Sequence, residues 1–69
     1  MDNFLEQLAG ILDTDVPLTP DTLLKNVPEW DSLAWLHFMT LADDTYGKEV
    51  TGDDLIRCLT VRQLFELVS

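Results

Sequence analysis

Apolar residues along this chain fall at the three- and four-residue intervals of amphipathic helices, in blocks divided by polar and proline-bearing stretches. In the first block Phe4, Leu5, Leu8, Ile11 and Leu12 form one stripe, which predicts a helix from about Asn3 to Asp13. Asn3 and Glu6 have the spacing of a capping box, in which each side chain accepts from the other's backbone N–H. The run Asp13-Thr14-Asp15-Val16-Pro17 ends the helix, because a residue before proline is driven out of helical geometry. Pro17, Pro20 and Pro28 then punctuate a long connection over residues 14–31. Connections of that length inside a compact domain are usually functional. Leu18, Leu23, Leu24 and Val27 provide anchors that should hold it across the helices, with a helical turn over residues 21–25.

The second helix is expected from Ser32 to about Tyr46, with Asp31 as its N-cap and Gly47 in the left-handed position that commonly ends a helix. At about 100° per residue, Trp35, Phe38, Met39, Ala42 and Tyr46 cluster on one side. Leu33 and Leu36 form a second apolar patch beside Ser32, and His37, Thr40 and Asp44 make a polar flank. That is more apolar surface than one core contact needs. The second patch is either a protein-binding surface or a face covered by the long connection. Thr51-Gly52-Asp53-Asp54 starts a short third helix, with Thr51 capping it and acids in its first turn, that should end near Cys58. Thr60 and Gln63 make a Thr-x-x-Gln capping box for a fourth, with Val61, Leu64, Phe65 and Val68 as its stripe and Arg62 and Glu66 spaced to pair. No strand pattern or repeat competes. The expected fold is all-α: a four-helix bundle with a short third helix and a long connection between helices 1 and 2, forming a single domain over residues 1–69.

A chain of 69 residues has a marginal core, and Cys58, its single cysteine, cannot form an internal disulfide. Cys58 reads as a small, buried apolar residue. Stability must come from helix packing. Thirteen acids against four bases give a net charge of −9, which argues against nucleic-acid binding and favours partners with basic patches. Between Lys25 and Lys48 there is no Lys or Arg, while Glu29, Asp31, Asp43 and Asp44 all fall there. The start Met1-Asp2-Asn3 lacks the basic region of a secretory signal, and no apolar run reaches membrane-spanning length. With a free thiol, this predicts a discrete, cytoplasmic, monomeric protein with no membrane span. The acid-rich runs lack the ligand spacing of a calcium loop, so no metal site is expected. His37 stands alone, and no nucleophile–base pair has useful spacing, so the chain is not read as an enzyme.

Asp31-Ser32-Leu33 places a serine hydroxyl in the first turn of the longest apolar helix. Unpaired N–H groups and the positive end of the macrodipole make that position tolerant of a phosphate group. Taken with the proline-bearing connection, the acid pair Asp43-Asp44 before Tyr46-Gly47, and the closing run Thr60-Val61-Arg62-Gln63-Leu64, this arrangement resembles the acyl carrier protein family over essentially the whole chain. The resemblance implies a four-helix bundle whose Asp-Ser-Leu serine, here Ser32, carries 4′-phosphopantetheine derived from coenzyme A. It implies a carrier that holds acyl or aminoacyl groups as thioesters and delivers them to biosynthetic enzymes. Expected partners are a phosphopantetheinyl transferase and loading or transferring enzymes with basic docking patches. They are expected to grip Asp31, Leu33, Leu36, His37, Asp43 and Asp44.

The chain departs from the family pattern after the serine, where typical members carry acids and this one has Ala34, Trp35, Leu36 and His37. Trp30 and Trp35 are also larger than is usual there. With Trp35, Phe38 and Tyr46 filling the interior, a long fatty chain has little room, so short, polar or aromatic cargo of secondary metabolism is expected rather than bulk fatty acid synthesis. The alternative is a small acidic helical module that binds a basic partner through Leu33, Leu36 and Trp35 without a prosthetic group.

Overall fold

Helix α1 spans Asp2–Leu12, α2 Ser32–Tyr46, α3 Gly52–Ile56 and α4 Val61–Val68 in a computed structural model that describes residues 2–69. A single 3-10 turn, Leu24–Asn26, interrupts the long connection in place of the helical turn predicted at residues 21–25. The described residues contain no strand, and the fold is all-α. An isolated antiparallel bridge joins Leu23 to Thr60.

Each helix end follows from a few local residues. Helix α1 begins one residue earlier than predicted, so Asn3 lies within its first turn and is not the cap of a capping box with Glu6. It stops at Leu12 because Asp13 turns left-handed, at φ 48°, a conformation that a short polar side chain tolerates. At the start of α2 the Asp31 carboxylate accepts from Ala34 N–H at 3.1 Å, satisfying one of the orphan donors of the first turn. Gly47 closes the helix at φ 64°, donating its N–H to Asp43 O at 3.1 Å, while Lys48 N–H reaches Ala42 O at 3.0 Å. Thr51 with Asp54, and Thr60 with Gln63, form reciprocal capping boxes for α3 and α4. Helix α3 stops at Ile56, short of the predicted end near Cys58.

One cluster of buried side chains draws on all four α-helices and on the connection. Phe4, Leu8 and Leu12 of α1 meet Ala34, Phe38 and Ala42 of α2, and Leu55, Val61, Leu64 and Val68 close the cluster from α3 and α4. Leu5 and Ile11, predicted on the α1 stripe, are only half-buried at its edges. Phe4 is the aromatic hub, with its ring edge-on to Phe38 at 6.1 Å and Phe65 at 5.2 Å. Such pairs are worth about 0.5–1.5 kcal/mol beyond the area they bury.

The connection is stitched down by its backbone. Leu24 N–H donates to Leu59 O, Val61 N–H to Thr22 O and Arg62 N–H to Pro20 O, at 2.9–3.1 Å. Leu24 and Val27 are buried as expected and Leu18 packs partly, but Leu23 is exposed, because its backbone rather than its side chain makes the joint. Arg62 forms an ion pair with Asp21 across this joint at 3.3 Å, in place of the pairing along α4 with Glu66 that the spacing suggested.

Candidate functional site

Ser32 is the first residue of α2 and is exposed. Asp31 holds the turn beneath it, so the hydroxyl is presented at a capped helix start. Leu33 and Leu36 are 62% and 60% exposed. The connection does not cover them, which removes one of the two readings left open for this patch. The reason is that the connection is anchored to the Leu59–Arg62 segment and covers the opposite side of α2 through Trp30.

Beside the start of α2 the fold gathers Glu29, Asp31, Leu33 and His37 about a hollow of about 220 Å³ that Ile11, Leu12 and Ala34 also line, while Ser32 itself is not part of its wall. Glu29 is steadied there by the Thr14 hydroxyl, which donates to its carboxylate at 2.7 Å. Asp43 and Asp44 are exposed but lie near the far end of α2. At about 1.5 Å per residue they stand roughly 17 Å along the axis from Ser32. The candidate partner residues therefore form a strip along one exposed helix rather than a single pocket: apolar near Ser32, acidic at the end.

A larger groove, about 570 Å³, lies between the connection, α2 and α3. Leu24, Val27, Pro28, Trp30, Trp35 and Leu55 are among its lining residues. Its outer lip carries Ile56 and Leu59, at 65% and 67% exposure. Neither residue stood out in the sequence. The available signal was that a helix as short as α3 buries one apolar residue of the Leu55-Ile56 pair and must leave the other outside.

Trp35 forms one wall of the groove. Its ring tilts at 48° against Trp30, 6.4 Å between centroids, and Trp30 in turn stands edge-on to Phe38 at 6.0 Å. Trp35 is half-buried, as are Met39 and Tyr46, whereas Phe38 and Ala42 are fully inside. The indole Nε1 of Trp35 is buried with no hydrogen-bond partner among the described residues. An unpaired buried donor costs about 1–3 kcal/mol.

Cys58 also borders the groove and is half-buried rather than buried, its thiol donating to Asp54 O at 3.4 Å. Burial, reinforced by the Asp54 and Glu66 carboxylates, pushes the thiol pKa up, so it is a poor nucleophile. Among the described residues no cluster of His, Cys, Asp or Glu is placed to hold a metal, and no helix is long and apolar enough to cross a membrane.

Fold and site together define a small, acidic, all-α chain with an exposed serine at a capped helix start and an apolar groove one turn away. Scans of protein-family models, curated proteins and solved structures returned no match to this chain.

Proposed function

We propose that this chain is a carrier protein of the acyl-carrier type, with its four helices arranged as a bundle and 4′-phosphopantetheine attached through a phosphodiester at Ser32 Oγ. The observation that carries the reading is the exposed Ser32 hydroxyl at the start of α2, held by the Asp31 cap and adjoined by uncovered Leu33 and Leu36. The attached arm supplies a terminal thiol that carries acyl or aminoacyl groups as thioesters. The chain's own residues do the rest without catalysis. Asp31 fixes the geometry of the attachment turn, and the first-turn N–H groups and helix dipole accommodate the phosphate charge. Leu33 and Leu36 give a partner its apolar contact. His37, Asp43 and Asp44 orient it, and the net charge of −9 speeds encounter with basic-faced enzymes.

The proposal includes a cytoplasmic, monomeric protein whose partners are a phosphopantetheinyl transferase and loading or transferring enzymes. Secondary metabolism is favoured over bulk fatty acid synthesis because Trp35 and Phe38 occupy space on the inner side of α2. Incubation with coenzyme A and a promiscuous transferase should add one phosphopantetheine group, read by intact mass. Ser32→Ala should remain folded and unmodified. A wild-type chain that never loads, or a Ser32→Ala chain that does, would leave only a protein-interaction module.

A further inference from the structure

The two concave surfaces of this chain differ in charge. The hollow beside α2 is lined by Glu29 and Asp31. The groove between the connection, α2 and α3 has Lys25 as its one charged lining residue and, among the described residues, no Asp or Glu. That is unexpected in a chain with thirteen acids and four bases. Three of those bases, Lys25, Arg57 and Arg62, belong to the connection, the end of α3 and the start of α4. Arg62 is held by Asp21. Lys25 and Arg57 are exposed, and neither forms an ion pair among the described residues. The acids of α3 lie in its first turn, where Asp54 accepts from Thr51 N–H.

Apolar exposure is concentrated on the same side. Of the five large apolar side chains left exposed among the described residues, Leu33 and Leu36 belong to the α2 strip, and Leu23, Ile56 and Leu59 all line this groove. The bridge from Leu23 to Thr60 and the Leu24 N–H to Leu59 O bond hold Leu23 and Leu59 at one backbone joint. A contiguous apolar patch with charged neighbours is the mark of a contact surface. A small ligand inside the groove would leave Ile56 and Leu59 in water. Covering groove and lip together takes a ridge of apolar side chains, as an amphipathic helix presents. Carboxylates on the flanks of that helix suit Lys25 and Arg57, whereas basic flanks would set like charges together. A two-fold pair of this chain would also bring those bases onto each other, along with two net charges of −9.

We infer that the groove and its lip are a second docking surface, for a partner protein that presents an acidic amphipathic helix. The apolar face of the helix packs on Leu23, Ile56 and Leu59, and its carboxylates meet Lys25 and Arg57. This surface reverses the charge of the α2 strip, so the two select different partners. The net charge opposes such a partner at long range, so the contact depends on close apolar fit and on these local bases. The inference does not require Ser32 to be modified.

Two synthetic helical peptides with the same leucine stripe, one flanked by Glu and the other by Lys, test this by titration into the isotope-labelled wild-type chain. The Glu peptide should shift the amide resonances of Lys25, Ile56, Cys58 and Leu59 and leave those of Leu33 and Leu36 in place. The Lys peptide should move the α2 strip instead. Reversing both bases, Lys25→Glu with Arg57→Glu, should weaken binding of the Glu peptide roughly ten-fold. Ile56→Ser should also weaken it, while Leu36→Ala should bind it as the wild type does. A Glu peptide that moves no groove resonance, a Lys peptide that fills the groove equally well, or undiminished binding by the charge-reversed chain would overturn the proposal. Groove resonances that shift with the chain's own concentration, without peptide, would make a second copy the occupant and overturn it too. The two wild-type titrations decide the matter even where a variant fails to fold.

Discussion

Leu36 and Phe38 are two residues apart on α2, one 60% exposed and the other fully buried. Their substitutions should separate contact from stability. Leu36→Ala removes a solvent-facing side chain and should change unfolding free energy by no more than about 0.5 kcal/mol, while weakening acyl transfer by partner enzymes. Phe38→Ala opens a hole against Phe4 and Trp30 and should cost about 3–5 kcal/mol, which a domain of this size can hardly withstand. Thermal melts of both variants, with transfer assays on Leu36→Ala, check the pair. A large stability loss in Leu36→Ala would show that the leucine belongs to the core. The sequence placed Leu33 and Leu36 on a patch of their own, because helical spacing reports direction around an axis. It left open whether anything covered the patch, because that depends on where a distant loop lies.

At the scale of elements, α2 and α4 are set by their ends as much as by their faces. Gly47 occupies a left-handed position with free space where a Cβ would stand, so the obstacle to a side chain is backbone strain rather than crowding. Gly47→Ala should therefore destabilise by about 1–2 kcal/mol, lowering the melting temperature by about 4–8 °C per kcal/mol. A wild-type melting temperature in that variant would show that the turn relaxes to another form. Asp31, Thr51, Thr60, Gln63 and Gly47 were all readable as caps, because capping is local chemistry between residues a few positions apart. The partner of Arg62 was not readable. Glu66 is near in sequence, but Asp21 is brought alongside by the backbone joint between the connection and α4.

Across the whole molecule, the dominant electrostatic fact is an excess of acids over bases, with an exposed ion pair between Arg62 and Asp21 described across the fold. Self-repulsion on that scale opposes compaction, and an exposed pair contributes only about 0–1 kcal/mol. Added salt should therefore raise the melting temperature, since it screens more repulsion than attraction. The same salt should slow association with a basic-faced enzyme, as the screening length falls from about 10 Å at 0.1 M to about 3 Å at 1 M. Thermal melts and stopped-flow binding across a salt series check the two opposite trends. A melting temperature that falls with salt would mean that local attractions outweigh the net charge.

The sequence by itself determined the all-α class, the order of the helices, most of their ends and the position of Ser32 in the first turn of α2. Those follow from periodicity and capping, which act over one or two turns of chain. The candidate strip along α2 was legible in the same way, since Asp31, Leu33, Leu36, His37, Asp43 and Asp44 all belong to one helix or its cap. Only the tertiary structure decided that Leu33 and Leu36 stay uncovered, that Leu23 points outward, and that Ile56 and Leu59 form the lip of a groove. It alone showed Trp35 as a wall of that groove, with a buried indole N–H that no described residue accepts. These outcomes turn on how the connection is tied to the start of α4 and on which groups end up beside one another in space. That proximity joins residues more than thirty positions apart, such as Leu24 and Leu59, and no local spacing rule encodes it.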